Sequence, residues 1–369
     1  MGSGEDSAVE DVQEKIIRLL NEAASNEGQR TSCLHKVHEL VLHRAPSLLK
    51  EFLGDILYYQ ADREPSLRKI LPPFIEKVLK HDGSLLPLVV GTLQFAIQDS
   101  NPNVVKSLLS SMVSIYRTML EYVSQHPVPE GVGMEEAWEK LSRLKDDVCE
   151  LMDSENDGIR TLAIKFMETL VLIQSYPDAS IPRDPKDTFS LEKVPLNVKL
   201  ARPRLLEEES RAVFQDLVKF HNSPHISSIN LMAAMGALVN IGKLRPTFLG
   251  QVLDSLSRLH ANLPPTLSRS QVASVKKMLR VYLLQLLKLR YLSSDQWSQI
   301  YVFLTDLGTT PGEMERSLPS DLVSTFRRRR EEHKRALAKA EQEKEYGNAD
   351  SRPPPGEEQP PFSPGGQSP

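Results

Sequence analysis

With 369 residues, 40% of them hydrophobic and 25% charged, the chain can bury a large core, and disorder along its whole length is excluded. A formal net charge of −4 excludes a protein-wide nucleic-acid surface and leaves only local basic patches for phosphate. Cys33 and Cys149, the only cysteines, form no C-x-x-C, so neither a disulfide framework nor a thiolate zinc site is indicated, and a reducing compartment is expected.

The first eight residues are expected to be a flexible N-terminus. The start, MGSGEDSAVEDVQEK, is acidic and lacks the basic-then-apolar plan of a signal peptide; its acidic residues also speak against myristoylation at Gly2. No stretch is apolar for long enough to cross a bilayer, so the expected setting is cytosolic or nuclear, with no membrane partner. From Val9 onward the apolar period is helical, beginning with Val9, Val12, Ile16, Leu19, Leu20 and Ala23. Helices are predicted over 34–43, 47–59, 67–79, 85–97, 104–123 and 135–152, with another beginning near Ile159. Short connections between them imply antiparallel neighbours. Pro72 and Pro73 fall inside one of these helices and should kink or split it.

A polar, proline-rich stretch at 175–206 interrupts the series. Helices resume over 207–220, 226–241, 247–260, 268–289 and 295–307. The span 9–318 therefore reads as one repeat domain. It is followed by a charged helix over 319–345 and a Pro/Gly/Ser-rich tail over 346–369, expected to be disordered.

Two octapeptides carry the repeat signal: DSNPNVVK from Asp99 and DSENDGIR from Asp153 (153 − 99 = 54). In each, an Asp-Ser turn precedes an apolar residue and a cation. Then follow apolar positions at helical spacing: Val105 with Leu108, Leu109 and Met112, and Ile159 with Leu162, Ala163 and Phe166. A looser copy places Leu67 in the register of Val105 (105 − 67 = 38), near the helix-pair length of HEAT and armadillo arrays. The Pro/Gly loop HPVPEGVG at 126–133 supplies the extra length of the second interval at little cost. The expected fold is all-α, a HEAT/armadillo-like right-handed superhelical stack of about six or seven antiparallel helix pairs.

Motifs for catalysis fail on spacing. In HELVLH the histidines at His38 and His43 are five apart, which separates them by about 140° on a helix, whereas the zinc-protease motif needs four. DSENDG starts like a calcium loop, but Glu155 and Ile164 stand where an Asx ligand and a bidentate Glu belong. GALVNIGKL follows a helix and ends in Leu244 where a magnesium-binding hydroxyl is needed. No nucleophile elbow or deaminase signature occurs, so no enzyme, metal or cofactor is expected. The run Arg327, Arg328, Arg329, Arg330, Lys334 and Arg335 suits a nuclear import signal, a nucleic-acid contact or an exposed charged helix.

Four segments carry a family likeness: DSENDGIRTLAIKF from Asp153, ISSINLMAAMGALVNI from Ile226, LHANLPPTLSRSQVASVKKML from Leu259 and DLGTTPGEM from Asp306. With the helix order and the long middle loop, the chain from about Asp11 to Leu318 resembles the N-terminal domain of symplekin. The resemblance implies a HEAT-like scaffold of pre-mRNA 3′-end processing that binds and stimulates the phosphatase of the RNA polymerase II C-terminal repeats. It also implies cleavage and polyadenylation factors as further partners and a nuclear site of action, with cytoplasmic presence left open. Lys165 is the implied principal contact, with Asn156, Asp157 and Thr161 beside it. Lys165 lies off the apolar stripe, which leaves its ammonium in solvent to meet an acidic partner patch. Symplekin proteins continue far beyond this length, so a chain complete as given is expected to be a shortened paralogue or isoform. The alternatives are a nucleic-acid-associated helical adaptor acting through Arg327–Arg335 and a competitor of full-length symplekin.

Overall fold

Helix starts with defined caps set the register of this protein. The computed structural model describes residues 3–126, 133–179, 181, 183 and 189–349, without the side chains of 3–8, 341 and 343–349. The α-helices are α1 Ser3–Ser25, α2 Arg30–Glu39, α3 Leu49–Leu57, α4 Pro65–His81, α5 Leu86–Ile97, α6 Pro102–Gln125, α7 Met134–Glu150 and α8 Asp157–Ile173. They continue with α9 Pro203–His221, α10 Ser228–Leu244, α11 Pro246–Ala261, α12 Arg269–Leu286, α13 Ser294–Asp306, α14 Pro311–Ser317 and α15 Ser320–Ala349. No strand occurs among the described residues. Of the tail expected over 346–369, residues 346–349 continue α15 instead, and 350–369 lie outside the described residues, as do 127–132 of the loop expected over 126–133.

The chain divides into two compact units between Tyr291 and Leu292, inside the span 9–318 that periodicity assigned to one array. In the first unit α4 packs on α6, α6 on α8, α8 on α10 and α10 on α12, so every second helix joins one continuous row. Behind it α5 packs on α7 and α9 on α11. This is the all-α, HEAT/armadillo-like stack of antiparallel pairs expected from the sequence. In the second unit Trp297 and Tyr301 of α13 gather around Phe326 of α15, which is 1% exposed.

The cap positions correct the repeat register. Asn101 caps α6 by accepting from Asn103 N at 2.9 Å, and Asn156 caps α8 by accepting from Gly158 N and Ile159 N. Asn101 is the third residue of its octapeptide and Asn156 the fourth of the other, so lining up the letters slips the helices by one. Counted from the caps Glu64, Asn101, Asn156 and Ser227, the intervals are 37, 55 and 71 (101 − 64, 156 − 101, 227 − 156). In that register Leu71, Leu108, Ala163 and Ala234 are equivalent and all buried. The same holds for Ile75, Met112, Met167 and Leu238 one turn on, and for Val78, Ile115, Leu170 and Ile241 after them. Val104, not Val105, corresponds to Leu67 and Ile159, and Leu162 is half-buried rather than core.

The first Asp-Ser turn ties neighbouring repeats together. Arg68 of α4 forks onto Asp99 with Nε–Oδ2 at 2.6 Å and Nη2–Oδ1 at 2.9 Å, while Asp99 Oδ1 also accepts from Asn101 N. The guanidinium holds the Asp99 carboxyl below the ordinary carboxylate range.

Pro72 and Pro73 do not split α4, which runs unbroken from Pro65 to His81. Pro73 cannot donate to the carbonyl of Lys69 four residues back, and Ser107 Oγ of α6 does so instead, at 2.8 Å. Helix ends also differ from the apolar period. α1 begins at Ser3, ahead of Val9, and the stretch predicted over 34–43 is an α-helix only to Glu39, after which Leu40–Arg44 form a π turn. The middle interruption is packed rather than merely spanning: Phe189, Leu191, Val194, Val198 and Ala201 are buried, and Leu191 N donates to Ser175 O at 3.3 Å. α9 then starts at Pro203, four residues before the periodic pattern.

Candidate protein-interaction face

The row α6–α8–α10–α12 presents a cleft of about 690 Å³, with Arg117, Lys165, Glu168, Asn240, Lys243 and Tyr282 on its walls. Lys165 stands nine residues after the α8 cap, a position taken by Pro73 in α4, Ser110 in α6 and Gly236 in α10. Its side chain is 60% exposed, yet its ammonium is not simply solvated: Nζ donates to Glu168 Oε2 at 2.9 Å. Glu168, with a side chain only 7% exposed, also accepts from Asn240 Nδ2 of α10 at 2.5 Å. A carboxylate this far from water needs both donors. Above it, Tyr282 of α12 has its phenol pushed up by burial and by the Glu168 charge. The Tyr282 hydroxyl passes over Gly236, where a Cβ would come within 2.8 Å of it, so a larger residue there would push the phenol aside.

The other three candidates lie at the start of α8, and each has a side-chain oxygen committed there. Asn156 is the cap. Asp157 Oδ1 accepts from Arg160, from Asn230 Nδ2 at 2.7 Å and from Ser227 Oγ at 3.2 Å. Arg160 foremost, and the two neutral donors with it, hold the Asp157 carboxyl below its ordinary range. Thr161 Oγ1 donates to Asp157 O at 2.9 Å and Asn230 Oδ1 at 3.0 Å. Together these atoms join the start of α8 to the start of α10. Sequence reading singled out Lys165 but missed Glu168, Asn240 and Tyr282. The Lys-x-x-Glu spacing on one helix was the available signal for Glu168; the other two come from distant helices.

The basic run lies on α15 with acids interleaved. Arg327 pairs with Glu315, Arg328 Nε lies 3.8 Å from Glu332, and Arg330 and Lys334 both lie 3.4 Å from Glu331. Arg329 Nη2 donates to Leu292 O at 2.9 Å, and Arg335 is exposed. Both cysteines are free thiols with no low-pKa character, since burial raises Cys33 and pushes Cys149 up to about 12. Among the described residues no three His, Cys, Asp or Glu side chains converge to hold a metal.

Comparison with known proteins fixes the family. The family model Symplekin/PTA1 N-terminal matches residues 101–335, which is 235 of 369 residues (335 − 101 + 1). The chain belongs to the symplekin/PTA1 N-terminal family. The match covers α6 to the basic run of α15, and so contains the whole Lys165 cleft. A relative in Schizosaccharomyces pombe (strain 972 / ATCC 24843), the mRNA cleavage and polyadenylation specificity factor complex subunit pta1, is 23% identical over 212 residues. That alignment takes in 56% of this chain and 31% of the relative, so the chain spans about a third of that protein's length. Among solved structures, an engineered protein of the Northeast Structural Genomics Consortium is similar at a TM-score of 0.33, with 13% identity, over 69% of this chain and 95% of that one. A designed armadillo repeat protein in complex with the peptide (KR)4 is similar at 0.32, with 14% identity, over 82% and 98%.

Proposed function

We propose that this symplekin-family chain is a non-catalytic scaffold of mRNA 3′-end processing in the nucleus. In this reading it binds and stimulates the phosphatase of the RNA polymerase II C-terminal repeats and joins cleavage and polyadenylation factors. The observation that carries the proposal is Lys165: an exposed cation over a cleft built from four helices, anchored at its base by a buried carboxylate. An acidic patch on the phosphatase would displace Glu168 from one side of the ammonium and gain a charge-assisted contact on a rigid platform. Asn156, Asp157 and Thr161 serve the same surface by fixing the start of α8 against α10. Stimulation follows if the row binds the active conformation of the phosphatase more tightly than its other states; affinity alone activates nothing.

The test is a pull-down and turnover assay with the polymerase-tail phosphatase, using the intact chain, Lys165→Ala and Glu168→Gln. Binding and stimulation should be lost on Lys165→Ala and kept on Glu168→Gln, which leaves the cation free. Absence of binding by the intact chain would sink the proposal. Direct nucleic-acid binding through Arg327–Arg335 is the competing reading, and the Glu315, Glu331 and Glu332 partners weigh against it. It predicts RNA affinity that falls steeply with salt and with Arg327–Arg330 changed to Ala.

A further inference from the structure

A second pocket is built, Ser107 apart, from residues ahead of 101, where the family match begins. It has a volume of about 500 Å³ between α2 with its π turn on one side and α4 on the other, and Ser107 of α6 at its edge. Its floor is apolar, made by Leu42, Ile70, Pro73 and Phe74. Pro73 stands at the helix position that Lys165 takes in α8, so α4 offers a flat ring where α8 offers a charge. The Ser107 bond to the Lys69 carbonyl makes this substitution compatible with an unbroken helix.

One side chain in the wall of this space keeps a ring nitrogen without a partner. His38 is nine-tenths buried, 9% exposed, and its ring stacks on Phe74 with centroids 4.0 Å apart and planes at 18°. Its Nε2 is closed off from solvent and meets no hydrogen-bond partner. Burial, with smaller contributions from His35 and Lys77, pushes its pKa down to about 3, so the ring is neutral. A buried ring nitrogen of this kind costs free energy until something bonds to it. The rim is cationic: Lys69 and Lys77, two turns apart on α4, are exposed, and His35 and His43 stand across from them with a single carboxylate, Glu39.

We infer that the pocket between α2 and α4 is a docking site for an acidic segment of a partner protein that inserts a tyrosine side chain. The ring fills the apolar floor, its hydroxyl meets His38 Nε2 once the imidazole turns toward the pocket, and flanking carboxylates meet Lys69 and Lys77. A hydroxyl suits either tautomer of the imidazole because it both donates and accepts, and an aromatic ring with one polar tip matches an apolar floor bordered by one unpartnered ring nitrogen. A nucleic-acid base fits less well: its edge carries several donors and acceptors, and the floor answers one of them. The inference is independent of the Lys165 proposal.

The probe is a fluorescein-labelled peptide with a single Tyr between runs of Glu, followed by anisotropy on the full chain. Saturable binding is expected, weakened about tenfold by the Lys69→Glu/Lys77→Glu variant and similarly by replacing the probe's Tyr with Ala, and a few-fold by replacing it with Phe. Both lysines are exposed, so the variant should keep its helical circular dichroism. The His38 ring resonances should move on addition of the probe, and Lys165→Ala should bind it unchanged. The inference is overturned by no saturable binding by the intact chain, by equal binding of the Ala probe, which is charge attraction alone, or by displacement of the probe by single-stranded RNA that binds through the same two lysines. Loss of the probe on Lys165→Ala would place the peptide in the other cleft and also overturn it.

Discussion

Lys165→Ala removes one of the two donors that satisfy the buried Glu168 carboxylate, leaving the Asn240 amide at 2.5 Å alone to face it. A hydrogen bond to a charged group contributes about 1.5–3 kcal/mol, and the 60% exposure of Lys165 lets water replace part of that, so a loss of about 1 kcal/mol is expected. For a unit of this size that is about 1.5–2 °C in thermal midpoint. Glu168→Gln removes the buried charge and should change stability by about 0.5 kcal/mol or less. The double variant Lys165→Ala/Glu168→Gln should recover most of the loss, because no uncompensated charge remains. Urea and thermal unfolding of the four proteins complete the cycle. Should the double variant be as unstable as Lys165→Ala, or Lys165→Ala match the parent, Lys165 is not what holds Glu168. The cycle also guards the phosphatase assay, since loss of binding by the double variant, with stability restored, isolates the contact itself.

Three further outcomes are expected. Ser107→Ala should cost about 1 kcal/mol by leaving the Lys69 carbonyl without its donor, and less in a Pro73→Ala background, where the helix supplies one; urea midpoints read the difference. His221, fully buried with Nδ1 2.8 Å from Ser255 Oγ, is held neutral by burial with a pKa lowered from 6.5 to about 4. The unfolded chain therefore takes up this proton first as pH falls. The His221 share of stability is full above pH 6.5, is lost between 6.5 and 4 by at most about 1.4 kcal/mol per pH unit and falls no further below, while His38, pushed down to about 3, adds a like loss; His221→Gln should reduce the slope in pH-dependent melts. Gly83→Ala places a Cβ 2.5 Å from the Tyr122 ring and should destabilise by about 1–3 kcal/mol. By contrast, Gly158→Ala meets the flexible end of Lys106 at 2.9 Å and the Asn156 Oδ1 cap at 3.3 Å and should lie within about 1 kcal/mol of the parent in the same melts.

The helices, their caps and most of their core stripe were legible because each depends on residues near in sequence. Asn101, Asn156, Ser227 and Ser268 are polar side chains placed where a helix must begin. The register slipped because matching Asp-Ser to Asp-Ser ignores where the chain turns helical, a point decided by which Asn reaches the free N–H groups. Lys165 was legible as an off-stripe cation. Its anchor was legible only in part: Glu168 sits one turn away, whereas Asn240 arrives 72 residues later. Buried charges are the least legible class. Lys145 with Glu209 and Arg245 with Ser175 and the Leu172 carbonyl look like surface residues until the partner helix is known.

The bond from Ser107 to Lys69 also bears on how the array unfolds. In a linear array, stability divides between what each repeat holds alone and what it gains from its neighbour. Pro73 removes an internal bond from α4, and Ser107 returns it only when α6 is in place, which moves free energy from the first share to the second. An early helix that would otherwise fray by itself is thereby coupled to the next, and the N-terminal end of the stack should melt together with α6 as one cooperative step.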